Sequence, residues 1–377
     1  MKPVRWVLAF SAMFLWGVAS AQVKLAYVGE ISGPLAPSGG NFRDGVILAV
    51  EELNARGGVL KQKLDLTLYD TQTNPGVARA QMQKAIDGDP YVIFGPILSG
   101  NVKVTLDMVK NAEIPQFVGG EAAELTSLGS PYMFRTSFGQ QIGMPKIANY
   151  IRDELKAKSI ALIWVNNDFG KGGRDRLIKE LQARNIKLAA DVSTEAGQVD
   201  FAADVVKLKA ANADAVFVYS NEEECARIMR EARKQGLKGP FVGDTTLLSQ
   251  KTIELAAEAA NGVVGHVGLT VDAPMKEVKD FGERFQKRFK YKPDHNGLKG
   301  YTAVYAMKHV TEKKLGKFDR KALASTLHGL TISPKEEPGI LIETSWDNVG
   351  EIDRISFLAQ VVDGKQKIVK ILPKLGK

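Results

Sequence analysis

The chain has 377 residues, 44% hydrophobic and 25% charged, with a formal net charge of +8 and a single cysteine. This balance excludes an intrinsically disordered polymer, and one cysteine excludes an intrachain disulfide scaffold. The length exceeds what one compact core usually fills and predicts two domains of about 150–200 residues.

The first element in chain order is an export segment. Lys2 and Arg5 give a positive start, Val7 to Gly17 is apolar except for Ser11, and Ala19-Ser20-Ala21 supplies small residues. This is the order of a secretory signal peptide over residues 1–21, with the mature chain starting at Gln22 and destined for the periplasm. The alternative is a membrane anchor, but the apolar run is shorter than the roughly 20 residues a spanning helix needs.

Strands and helices then alternate. Val23 to Val28 reads as a buried strand, and Phe42, Val46, Ala49, Val50 and Leu53 recur at helical spacing before Gly57-Gly58. Leu64, Leu66 and Leu68 alternate as a strand, and a helix through Ala78, Met82 and Ala85 is opened by Pro75. Tyr91 to Phe94 and Ile114 to Val118 are strands flanking a helix from Val102 to Val109. The pattern repeats with strands at Ile160–Val165, Ala215–Tyr219 and Phe241-Val242. Helices run through Leu177–Leu181, Phe201–Leu208 and Glu224–Gln235. Such alternation predicts an α/β fold of two similar, doubly wound parallel-sheet lobes. The chain is expected to cross between them around Arg135–Gly143 and again from Gly265. Helices near Met275–Phe289 and Tyr301–Val310 are expected to return to the first lobe.

The net charge invites a nucleic-acid reading, and Lys287-Arg288-Phe289-Lys290-Tyr291-Lys292 interleaves cations with aromatics. However, Met275, Val278, Phe281, Phe285 and Phe289 share one helical face, which makes the aromatics a buried stripe beneath solvated lysines. No nucleic-acid partner is expected. Cys225 falls between Glu224 and Ala226 in a helical pattern and reads as a packing residue rather than a reactive thiol.

In open α/β sheets, ligands sit beyond the carboxyl ends of the strands. The loops there are Gly29–Gly40, Gly95–Asn101, Gly119-Gly120-Glu121, Asn166–Gly170, Ser220-Asn221-Glu222 and Gly243-Asp244-Thr245. Glycine, hydroxyl, amide and carboxylate groups recur in them. The candidate ligand-binding residues are Ser38, Ser99, Gly100, Gly120, Glu121, Phe169, Asn221, Glu222, Asp244 and Thr245. Ser99 precedes a helix start, where a ligand carboxylate can accept bonds from its hydroxyl and from free N–H groups; alternatively it caps its own helix. Glu222 and Asp244 are placed to receive an ammonium or hydroxyls, or are solvated turn carboxylates. The four histidines, His266, His295, His309 and His328, form no metal-binding or catalytic pattern. Neither an enzyme, a cofactor nor a metal is expected.

These segments together resemble the periplasmic substrate-binding proteins of branched-chain amino-acid-type ABC importers, with the type I periplasmic-binding-protein fold. The resemblance runs from about Val23 to the C-terminus. It is carried by Ile31-Ser32-Gly33-Pro34, Leu53–Gly58, Tyr69-Asp70, Gly95–Ser99, Glu124-Leu125-Thr126, Asp168–Gly172, Asp200-Phe201, Ala232–Leu237, Gly300–Tyr305 and Val362–Lys365. It implies two lobes joined by three crossings that close on a small-molecule ligand. The expected division is 22–138 plus 267–345 for the first lobe and 139–266 plus 346–377 for the second. It also implies a monomer that docks on the permease subunits of an importer; presenting the ligand to a membrane sensor is the alternative. The resemblance places a carboxylate-holding serine at Ser99 and an aromatic wall at Phe169. Three positions depart from the leucine-type pattern. Glu121 replaces a threonine, where it would repel a ligand carboxylate unless one of the two were protonated. Thr245, preceded by Asp244, stands where a glutamate receives the ammonium, and a tyrosine position falls near Asn221 or Glu222. Transport of a small polar solute is therefore implied without leucine-type specificity.

Overall fold

The computed structural model describes residues 22–376; the expected signal peptide, 1–21, lies outside the described residues. The first half runs β1 (Val23–Gly29), α1 (Ala36–Ala55), β2 (Leu64–Asp70), α2 (Pro75–Asp87), β3 (Val92–Phe94), α3 (Ser99–Asn111), β4 (Gln116–Val118) and β5 (Met133–Arg135). Then follow α4 (Gln140–Asp153), β6 (Ser159–Val165), α5 (Asp168–Gln182), β7 (Lys187–Thr194), α6 (Ala202–Ala210) and β8 (Ala215–Tyr219). After these come α7 (Glu222–Lys234), β9 (Phe241–Gly243), α8 (Gln250–Ala256) and β10 (Val264–Val267). The chain closes with α9 (Lys276–Phe289), α10 (His295–His309), α11 (Arg320–Leu327), β11 (Thr331–Ile332), β12 (Thr344–Trp346), β13 (Ile352–Asp353), β14 (Ser356–Val362) and β15 (Lys365–Leu372).

Two sheets organise these elements. The first is a 5-stranded sheet in the order β2-β1-β3-β4-β5, parallel throughout. The second is a 7-stranded sheet, β15-β14-β10-β9-β8-β6-β7, in which β14 and β15 are antiparallel additions. Helices cover both faces of the parallel strands, so β1 and β8 are almost wholly buried, as their near-continuous apolar runs require. A small sheet, β11-β12-β13, packs with Ile332, Trp346 and Ile352 in the core of the first lobe. The chain passes between the two sheets after β5, after β10 and after β13.

The helices α9 and α10 return to the first lobe. Val278, Phe281 and Phe285 of α9 are buried there, as the stripe predicts, and α10 lies on α1. That second contact is unusually close. A Cβ on Gly45 would collide with the Gly297 carbonyl, and one on Gly300 with the Phe42 carbonyl, so the two backbones meet where no side chain fits. Among the described residues, no helix is long and apolar enough to cross a membrane.

The structure departs from the expected elements in several places, and the helices α4 and α11 and the strands β5 and β11–β13 have no counterpart in the expected pattern. The helix α1 starts at Ala36, inside the stretch expected to be a loop, with Pro37 in its first turn and Ser38 already helical. Strand β7 has a mostly exposed or half-buried edge position, which gives its sequence no clear alternation. The short α8 has no counterpart in the apolar pattern. The third crossing, expected at 345/346, comes after Asp353, because Trp346 and Ile352 are buried in the core of the first lobe. Cys225 is buried, with its thiol directed to the Ser220 carbonyl, and burial raises its pKa.

Candidate functional site

The carboxyl ends of β1, β3 and β4 face those of β6, β8 and β9 across a crevice between the lobes. On the first side, the segment after β1 is pinned by Glu30. This fully buried carboxylate accepts N–H bonds from Ile97 (3.1 Å) and Leu98 (3.4 Å) and a bond from Asn101 Nδ2 (2.7 Å). Burial raises its pKa, and these bonds partly oppose that shift. Glu30 thereby fixes the loop that carries Ser99 to the mouth of the crevice.

Ser99 opens α3 but does not cap it. Its Oγ accepts from the N–H groups of Glu121 (3.2 Å) and Ala122 (3.1 Å), so the hydroxyl proton is left to give to another acceptor. The first-turn N–H groups of α3 have no carbonyl four residues behind them, which makes this end of the helix a seat for an anion. Beside it, Glu121 Oε1 lies 2.9 Å from Lys299 Nζ, and both side chains are largely withdrawn from solvent. The expected repulsion between Glu121 and a ligand carboxylate is therefore offset by a cation from α10. Asp294 caps α10 through the N–H groups of Asn296 and Gly297 and so orients His295, Asn296 and Lys299. Burial, then the nearby Glu222 carboxylate, raises the Asp294 pKa to about 7. Burial, then Lys299, holds the His295 imidazole well below its usual range, so it is neutral.

On the second side, Phe169 at the start of α5 stacks on Tyr219, with ring centroids 4.3 Å apart and planes at 22°. Gln140 Nε2 donates to both the Phe169 carbonyl (2.7 Å) and the Tyr219 hydroxyl (3.0 Å), which locks this aromatic wall. Glu222, at the first turn of α7, accepts a 2.7 Å bond from Ser38 Oγ across the crevice. Burial raises the Glu222 pKa, and the Ser38 bond works against that shift. Nearer the rim, Lys103 of α3 bridges to Asp168 of α5 at 3.1 Å. The two lobes are thus in direct polar contact on either side of a cleft between them.

That space is lined by Ser38, Ser99, Glu121, Phe169, Asn221 and Glu222, all expected from the sequence. Leu35, Ile97, Thr246, His295, Asn296 and Lys299 also line it and were not expected. The remaining expected residues lie elsewhere. Gly100 faces α5, where a Cβ would sit 3.1 Å from Asp168 Oδ2, and so permits the close approach of the lobes. Gly120 packs against Leu125 and Val102 and gives its carbonyl to Arg135. Asp244 and Thr245 line a second chamber on the hinge side of the Glu121–Lys299 pair. There the Asp244 carboxylate is engaged with His266 Nδ1 (2.9 Å) and the Thr245 N–H (2.8 Å). The α10 residues escaped the loop rule because they come from a helix N-terminus on the returning segment. Their visible signal was a cluster of polar residues, His295, Asn296 and Lys299, opening an otherwise buried apolar helix. Among the described residues, no group of three or more His, Cys, Asp or Glu is arranged to hold a metal ion.

Comparison with known proteins agrees with this architecture. The family model described as "Periplasmic binding protein" matches residues 22–366. The Leu/Ile/Val-binding protein of Escherichia coli K12 is 31% identical over 259 residues, covering 68% of this chain and 69% of the relative. The branched-chain amino acid transporter substrate-binding protein of Streptococcus pneumoniae, solved with isoleucine, superposes with a TM-score of 0.84 at 22% identity, covering 94% of this chain and 100% of that one. A solute-binding protein of an ABC transporter from R. palustris, solved with benzoate, gives a TM-score of 0.83 at 18% identity, covering 95% and 98% of the two chains.

Proposed function

The chain belongs to the periplasmic binding protein family, and from that premise we propose that it is a solute receptor. It captures a small carboxylate-bearing molecule between its lobes and delivers it to the permease of an ABC importer. The observation that carries this reading is the cleft itself: one space lined from both lobes and bridged by the Ser38–Glu222 bond. A ligand that touches both sides favours the closed form by its differential affinity, and closure is what a permease can recognise.

The chemistry of the lining points to the ligand class. The Ser99 hydroxyl, the N-terminus of α3 and the Lys299 ammonium converge on one side, a set of donors suited to a carboxylate. Leu35, Ile97 and Phe169 offer apolar surface beside it. Isoleucine and benzoate, the ligands named for two of the structural relatives, share the form of a carboxylate on an apolar body. The test is calorimetric titration of protein spanning residues 22–377 with isoleucine, benzoate and related small carboxylates. Each ligand is afterwards recovered and checked for chemical change. Micromolar binding, near 8 kcal/mol, with the ligand recovered intact is expected. Binding only of molecules that lack a carboxylate would overturn the ligand class, and conversion of the ligand would overturn the receptor role.

A further inference from the structure

Behind the Glu121–Lys299 pair, towards the hinge, lies the second chamber, lined among others by Ser137, Phe138, Asp244, Thr245, His266 and Arg354. It shares Glu121, His295 and Lys299 with the main cavity, so the two spaces adjoin at this ion pair. Two of its side chains each carry a buried nitrogen without a partner. Arg354 is 1% exposed, and its guanidinium donates only to neutral oxygens, the Thr136 carbonyl (3.2 Å) and the Thr344 hydroxyl (3.5 Å), while Nε has no partner. Its planar head also lies 5.3 Å from the centroid of Phe138. Burial lowers the Arg354 pKa to about 10, so the group stays charged at neutral pH. His266 is also 1% exposed and uses Nδ1 on Asp244, which leaves Nε2 unpartnered.

A buried guanidinium without a carboxylate partner is costly, and native proteins rarely leave such donors idle. Asp244 forms no ion pair with Arg354 among the described residues; its bonds from His266 Nδ1, the Thr245 N–H and the Thr245 hydroxyl all fall on Oδ1. We infer that the transported solute carries a second acidic group, seated in this chamber between Arg354 and His266. The first carboxylate remains at Ser99 and Lys299. The guanidinium offers the fork geometry that suits a carboxylate. His266 meets the same group through Nε2, either receiving its O–H or donating its own N–H, with the far side of the ring held by Asp244. This inference rests on the reading of the cleft as a carboxylate site and narrows it to diacids, including acidic amino acids.

The experiment compares monoacids with diacids on the same frame by titration calorimetry: butyrate against succinate, glutarate and adipate, and benzoate against isophthalate and terephthalate. At least one diacid is expected to bind tenfold or more tightly than its monoacid, the weight of one charge-assisted bond. In Arg354→Met, that ratio is expected to fall towards one. If this variant does not fold, the isosteric Thr245→Val, which removes a hydroxyl from the same chamber, is expected to lower the ratio severalfold. Monoacids binding as well as every diacid would overturn the second acidic group while leaving the receptor reading intact. A diacid preference unchanged in the folded variant would overturn the chamber assignment. Failure of every member to bind would sink the carboxylate reading and this inference together.

Discussion

The carboxylate of Glu121 and the ammonium of Lys299, 2.9 Å apart, enter the cleft as one neutral unit drawn from two distant parts of the chain. The pair reverses what Glu121 alone implies. A lone carboxylate at that position repels an anionic ligand, whereas the pair leaves the remaining ammonium hydrogens free to bind one.

Lys299→Met is expected to weaken carboxylate binding by about 10- to 100-fold and to lower the melting temperature, because it strands a largely buried Glu121. Adding Glu121→Gln to that variant is expected to recover much of the melting temperature but not the affinity. Thermal unfolding and calorimetry of the two single variants and the double variant separate these effects; additive melting shifts would mean the pair is not coupled.

Ser99→Ala removes a hydroxyl that receives two N–H bonds and keeps its own proton for the ligand. Carboxylate affinity is expected to fall about tenfold. Because Glu121 and Ala122 also lose an acceptor, a small loss of stability is expected alongside. Unchanged affinity in calorimetry would remove Ser99 from the binding site.

Asp294 gives a pH signature. Its native pKa is raised by burial and by Glu222 to about 7, above the ordinary aspartate value. The native state therefore holds this proton more tightly than the unfolded chain. The stability linked to it is fully present below the unfolded pKa, near 4, and is lost as pH rises through about 7. Asn can serve the same cap without titrating. Asp294→Asn is thus expected to gain melting temperature relative to the parent as pH rises from 5 to about 7, and to hold a constant difference above that. A difference that is flat across this window contradicts the assignment.

The glycines between α1 and α10 predict a contrast. Gly45→Ala places a methyl group against the Gly297 carbonyl and is expected to cost roughly 1–3 kcal/mol or more, since backbone rather than a flexible side chain must yield. The displaced α10 carries Lys299, so ligand affinity is expected to drop with it. Gly40→Ala, in the same helix, meets nothing closer than the Arg43 guanidinium at 3.8 Å and is expected to be neutral or to stabilise by up to about 1 kcal/mol. Melting curves of the two variants test the pair.

The parallel strands and their helices were legible because the buried strands are short apolar runs and the covering helices repeat at helical spacing. Ser38, Ser99, Glu121, Phe169, Asn221 and Glu222 were legible because they follow strand ends, where the backbone turns towards the crevice. Strand β7 was not, because a half-exposed edge needs little apolar alternation. Neither was the role of Lys299, since a lysine in a helix normally lies on the solvated face and only the folding of α10 against α1 turns it inward. Asp244 shows the opposite limit. It sits at a strand end as expected, yet it lines the hinge-side chamber rather than the main cavity, and His266, 22 positions away, bonds its Oδ1.

The strand order of the second sheet bears on how the molecule is made. Strand β10 has β9 on one side and β14 on the other, and β14 and β15 come from the last stretch of the chain, Ser356–Leu372. During synthesis, β10 therefore lacks a partner on that edge until Ser356–Val362 has emerged, and the first lobe likewise waits for α9 and α10. Pairings this distant in sequence form slowly. The second sheet is therefore complete only when Ser356–Val362 has joined β10, and removing that segment is expected to leave the β10 edge unpaired.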